Sequence, residues 1–184
     1  MQAIQVSISI GLLVPNIKRP MNKKAVIANL KKAVEQVKLS NQALEVIERT
    51  VIHIPDERID QSRSVLKASL DEKYIYISLY ALSNRSIPLE LTFSKMIDFY
   101  SDEASIFEME ELGSHNNHIC QVINMWLTST IEKAHFKRGD YIGRTDYIGS
   151  HKYMSSRRLF TKTSPFGRFG RREVESKYEP WIVI

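Results

Sequence analysis

Cysteine is almost missing from this chain. Cys120 is the only one in 184 residues, which excludes an intrachain disulfide and fits a reducing, intracellular compartment. Glycine is scarce as well: of seven in all, five fall at 139, 143, 149, 167 and 170. No Gly-rich phosphate loop, serine elbow or paired His–Glu helix motif occurs, so none of the common catalytic signatures is available. Long apolar runs are absent too. Nothing approaches the eighteen consecutive apolar residues of a membrane span, and no transmembrane segment is expected. The apolar start is interrupted at Gln5, Ser7, Ser9 and Gly11 and has no basic residue before it, unlike a signal peptide.

Acidic residues are the last scarcity, and a local one. Residues 136–172 hold ten Lys/Arg against Asp140 and Asp146 alone, a net of +8. Residues 1–135 hold 15 Lys/Arg against 16 Asp/Glu, a net of −1. The basic stretch also carries Tyr141, Tyr147, Tyr153, Phe160, Phe166 and Phe169, with the five glycines among them. The sequence therefore divides into a near-neutral body, 1–135, and a basic, aromatic, Gly-punctuated C-terminal arm, 136–184. Within the arm, Asp140-Tyr141-Ile142-Gly143 is echoed six residues later by Asp146-Tyr147-Ile148-Gly149.

Hydrophobic periodicity sketches the body. Ile4, Val6, Ile8, Ile10, Leu12 and Val14 alternate with polar residues, predicting a strand ended by Pro15. Asn22 can cap a helix with Val26, Ile27, Leu30, Val34 and Val37 on one stripe, and Ser40-Asn41 can restart a short helix through Ile47. The β-branched run Thr50–Ile54, stopped by Pro55, predicts a strand. Ile59, Val65, Leu66 and Leu70 have loosely helical spacing over 56–70, behind Asp56 and Glu57. Tyr74–Leu82 and Leu89–Phe93 alternate around Ser83-Asn84-Arg85-Ser86 and predict an antiparallel hairpin. Ser101-Asp102-Glu103 to Gly113 suggests a helix, and a longer one is expected over 116–135, with Ile119, Ile123, Trp126, Thr130 and Ile131 near one face. The expected fold is α+β: a small antiparallel sheet with helices mainly on one face, plus the arm.

Candidate chemistry centres on the arm. Arg and Lys neutralise phosphates, and aromatic faces stack on unpaired bases. The residues placed at a nucleic-acid site are Lys137, Arg138, Arg144, Tyr147, Lys152, Arg157, Arg158, Phe166, Arg168, Phe169, Arg171 and Arg172. Their spread along the chain suits a groove that follows a strand. His115, His118 and Cys120, with His135 further on, are metal-type ligands, but they match neither C-x-x-C nor H-x(3–5)-H spacing, and cap and early-helix roles account for them. No metal and no cofactor is expected. Cys120 among Ile119, Val122 and Ile123 has the setting of a small buried hydrophobe.

These readings converge on a non-enzymatic accessory protein that binds RNA, or single strands generally, through its arm. The alternative is a self-assembling, viral matrix-like structural protein, a homo-oligomer whose arm docks on a neighbouring subunit or on an anionic membrane. The six acids of 98–111 offer a complementary surface for such self-association.

Overall fold

The computed structural model describes residues 25–151, 154–164 and 170–183. The strand expected at Ile4–Val14 and the proposed site residues Lys152, Phe166, Arg168 and Phe169 lie outside them. Among the described residues the fold is mixed α and β, mostly strands: three helices and two antiparallel sheets, rather than one small sheet.

Helix α1 (Ala25–Val37) buries Val26, Ile27, Leu30, Ala33 and Val37 and leaves Lys31 and Lys32 in water. Its early amide Ile27 N donates to Asp56 Oδ1 at 3.0 Å, so a carboxylate remote in sequence serves this helix end. Helix α2 (Asn41–Arg49) starts at Ser40, whose Oγ accepts from Ala43 N at 3.2 Å. The expected strand at 50–54 is instead a 3₁₀ turn, Val51–His53. Val51 and Ile54 are buried while His53 is exposed, a spacing of three that a strand cannot deliver to one face.

Strands β1 (Val65–Ser69), β2 (Tyr74–Leu79), β3 (Leu89–Phe93), β4 (Met96–Ser101) and β5 (Ala104–Glu111) form a meander in sequence order. The hairpin expected between 74 and 93 is present, Ile75 facing Phe93 and Leu79 facing Leu89. The helix expected over 56–70 is replaced by a short 3₁₀ turn, Asp56–Arg58, an Asp60–Ser62 turn and β1. As an edge strand with neither face fully covered, β1 shows no clean alternation. The helix expected from Ser101 to Gly113 is also overturned. Asp102 has φ 54 and turns β4 back into β5. The acids there populate the outer strand, where charge protects an open edge from pairing with another chain.

Helix α3 (Asn116–Thr128) stops seven residues before the expected end, and β6 (Thr130–Arg138) follows after Ser129. Strands β7 (Tyr141–His151), β8 (Met154–Thr163) and β9 (Arg171–Tyr178) complete a second sheet in the order β8-β7-β6-β9. The boundary drawn at 135/136 falls inside β6, whose pairing with β7 and β9 runs through it without a break at that point. The arm is thus woven into a sheet that begins in the body. Two of its glycines have packing reasons: a Cβ at Gly149 would meet Leu159 Cδ1 at 2.7 Å, and one at Gly170 would meet the Lys137 carbonyl oxygen at 2.7 Å.

Trp126 of α3 joins the two sheets. Its ring lies edge-on to Phe99 of β4 at 6.0 Å and 5.6 Å from Tyr147 of β7. The chain end seals this core. Trp181 is fully buried, its Nε1 donating to Ile87 O at 2.8 Å, and Ile182 N donates to Leu127 O at 2.9 Å.

Candidate nucleic-acid interface

Alternation along a strand assigns each residue of the second sheet to one of two faces. On β6, Ile131, Lys133 and His135 point to the inner face, toward α3 and the first sheet. Glu132, Ala134, Phe136 and Arg138 point outward. The register carries the outer assignment across the sheet: Phe136 opposes Arg144 and Arg172, Arg138 opposes Tyr141, Glu132 opposes Lys177, and Ile148 opposes Arg158. Arg138, Arg144, Arg158, Arg172 and Lys177 therefore share a face with two carboxylates, Glu132 and Asp146.

The geometry of that face is fixed by short-range pairing. The Arg144 guanidinium lies over the Phe136 ring, 3.7 Å from its centroid. Asp146 is 1% exposed beneath two arginines: Arg144 Nε stands 3.2 Å from Oδ1 and Arg158 Nε 3.4 Å from Oδ2. Thr161 Oγ1 donates to the same carboxylate at 3.0 Å. Glu132 pairs with Arg172 and, at 3.4 Å, with Lys177. Arg158, Arg172 and Lys177 remain well exposed, and Arg138 is exposed at the strand end.

The other expected site residues are distributed differently. Tyr147 is a correction: it is 1% exposed, packed between Trp126 and Phe160, with its hydroxyl donating to Asp102 Oδ2 at 3.1 Å. Its ring has no face left for a base. Lys137 registers to the inner face and pairs with Glu173 at 3.0 Å. Arg157 and Arg171 are exposed on the outermost strands, in register with inner-face positions.

A second constellation is invisible to sequence patterning. Lys133 Nζ, with its side chain 5% exposed, lies 2.8 Å from Asp102 Oδ2 and 3.1 Å from Glu175 Oε2. Burial disfavours its ammonium, but hydrogen bonds to Asp102 and Glu175 outweigh that and hold its pKa above the usual lysine range. Burial, reinforced by the Asp102 charge, likewise pushes the Tyr147 phenol up. His135 Nε2 meets Glu175 Oε2 at 2.7 Å and its Nδ1 meets Thr145 Oγ1 at 2.9 Å. Hydroxyl, imidazole and carboxylate follow one another as in a hydrolytic triad, yet Thr145 and His135 are each 7% exposed inside the sheet. What this arrangement does is tie β6, β7 and β9 to the β4–β5 turn. Hydrophobic patterning cannot find it, because its buried positions are polar.

The remaining candidates are scattered. His115 precedes α3 without a side-chain cap bond, the His118 ring lies edge-on to Phe107, and Cys120 is buried, which pushes its thiol pKa up. Among the described residues no three His, Cys, Asp or Glu side chains are grouped to hold a metal ion, and no helix is long and apolar enough to cross a membrane. Compared with family models, curated proteins and solved structures, the chain matches none.

Proposed function

We propose that this protein binds single-stranded nucleic acid, RNA by preference, on the outer face of its second sheet. The observation that carries the reading is the placement of Arg138, Arg144, Arg158, Arg172 and Lys177 on one face around the Arg144–Phe136 stack. Cations spaced along neighbouring strands suit a flexible phosphate backbone, whose counterions are released on contact. A guanidinium seated over an aromatic ring is the kind of planar cation on which an unpaired base stacks. Asp146 and Glu132 hold the arginines in place, so little side-chain freedom is lost on binding.

Docking of the arm on a neighbouring subunit has less support. Tyr147 and Trp181, two of the arm's aromatic residues, are buried within their own chain.

The test is a fluorescence anisotropy titration of the full chain with a single-stranded RNA oligonucleotide over a range of salt. About five phosphate contacts give a log–log slope of roughly −3 to −4. No binding at low salt, or a slope near zero, removes the proposal.

A further inference from the structure

Between the two sheets, beside β9, opens a cleft of about 510 Å³. That volume lies in the range of pockets that enclose a small molecule. One wall repeats the device of the outer face: the Arg63 guanidinium lies over the Tyr80 ring, 4.6 Å from its centroid, and Nη1 donates to Asn84 Oδ1. Ser83 and Asn84 both have positive φ, at 59° and 52°, a backbone form rare outside glycine that sets the Asn84 amide against Arg63. Tyr178 and Ser176 of β9 line the opposite side.

Asp102 also lines the cleft, and its carboxylate is already oriented. The bonds from Lys133 Nζ, at 2.8 Å, and Tyr147 Oη, at 3.1 Å, both fall on Oδ2. Oδ1 is engaged by neither. Lys177 belongs to both places: it lines the cleft and pairs with Glu132 of the outer face. The cleft thus offers a planar cation on an aromatic ring, a carboxylate oxygen for an N–H donor, and an ammonium toward the basic sheet face.

We infer that this cleft takes one splayed-out nucleotide of the bound strand, with its base stacked on Arg63, an amino group of the base on Asp102 and its phosphate near Lys177. The inference rests on the binding reading above. Adenine, cytosine and guanine carry an amino group for the carboxylate. Uracil offers only N3–H between two carbonyl oxygens, which the carboxylate repels.

The experiment uses the full chain and two unstructured probes, an oligoadenylate and an oligouridylate of equal length. Arg63→Ala, at an exposed position, is expected to weaken oligoadenylate binding about tenfold, the value of one stacked base, and to change oligouridylate binding less than twofold. An Arg144→Ala/Arg172→Ala variant weakens both probes alike. An oligoadenylate carrying 8-azidoadenosine is expected to crosslink to Tyr80 or Tyr178. Equal losses on both probes with Arg63→Ala, no loss on either, or crosslinks confined to the outer face overturn the cleft inference and leave the binding reading standing. If the unaltered chain binds neither probe, both fall.

Discussion

Lys133 Nζ sits 2.8 Å from Asp102 Oδ2, and with the Tyr147 hydroxyl on the same oxygen that contact joins the second sheet to the β4–β5 turn of the first. The ammonium is held further by Glu175 at 3.1 Å, so the lysine is buried as part of a paired network rather than alone. Replacing Lys133 by Met strands Asp102 and Glu175 against each other. The expected loss is about 3 kcal/mol, at the low end for broken buried pairs because both carboxylates reach solvent. Chemical denaturation checks it, and the double variant Lys133→Met/Asp102→Asn should recover part of the loss.

The same network sets an alkaline limit. Lys133 and Tyr147 both have pKa values raised by the fold, so each binds its proton more tightly folded than unfolded. Their contribution is complete below the unfolded values, about 10 to 10.5, and declines as pH rises above them toward the higher folded values. Thermal melts from pH 8 to pH 11.5 should show stability falling from about pH 10. In Tyr147→Phe, less stable throughout for want of its bond to Asp102, the fall should be shallower.

Arg144 lies on Phe136 and beside Asp146, combining charge with planarity. Arg144→Lys keeps the charge and loses the plane. The expected result is weaker RNA binding by about five- to tenfold with the salt slope unchanged, whereas Arg144→Ala also reduces the slope by about 0.7. Anisotropy at several salt concentrations separates the two. A change in slope for the lysine variant would show that Arg144 acts in another way.

Gly149 and Gly170 face equal crowding from different atoms. At Gly149 the obstacle is the Leu159 side chain, which can rotate; at Gly170 it is the backbone oxygen of Lys137, which cannot. Gly170→Ala should therefore cost about 1–3 kcal/mol and Gly149→Ala less. Urea midpoints of the two variants give the order directly.

Trp181 fills the core with its indole N–H on Ile87 O. Trp181→Ala is expected to cost about 3–5 kcal/mol. A chain ended at residue 135 loses Trp181, Tyr147 and three strands of the second sheet at once. It should fail to give a cooperative melt, as circular dichroism would show.

The α1 stripe, the Ser40 cap of α2, the hairpin between Tyr74 and Phe93 and the concentration of positive charge beyond residue 135 are all legible in the amino-acid order, because each is local. A helix face, a cap and a buried strand pair announce themselves within a dozen residues. The course of the chain at 50–70 and 101–111 depends instead on packing between distant segments, because half-covered edge strands and turns such as Asp102 give no clean period. So does the fate of the arm. Nothing local distinguishes Tyr141, exposed at a strand end, from Tyr147, buried six residues on; the difference is that Trp126 waits on the inner face. Lys133 and His135 fall in the stretch expected to be helix, and only carboxylates distant in sequence hold them buried in a strand. The basic surface is likewise a product of register. Pairing with β7 and β9 turns Arg144, Arg158 and Arg172 to the outer face and Lys137 to the inner one, and strand alternation, not composition, selects among them.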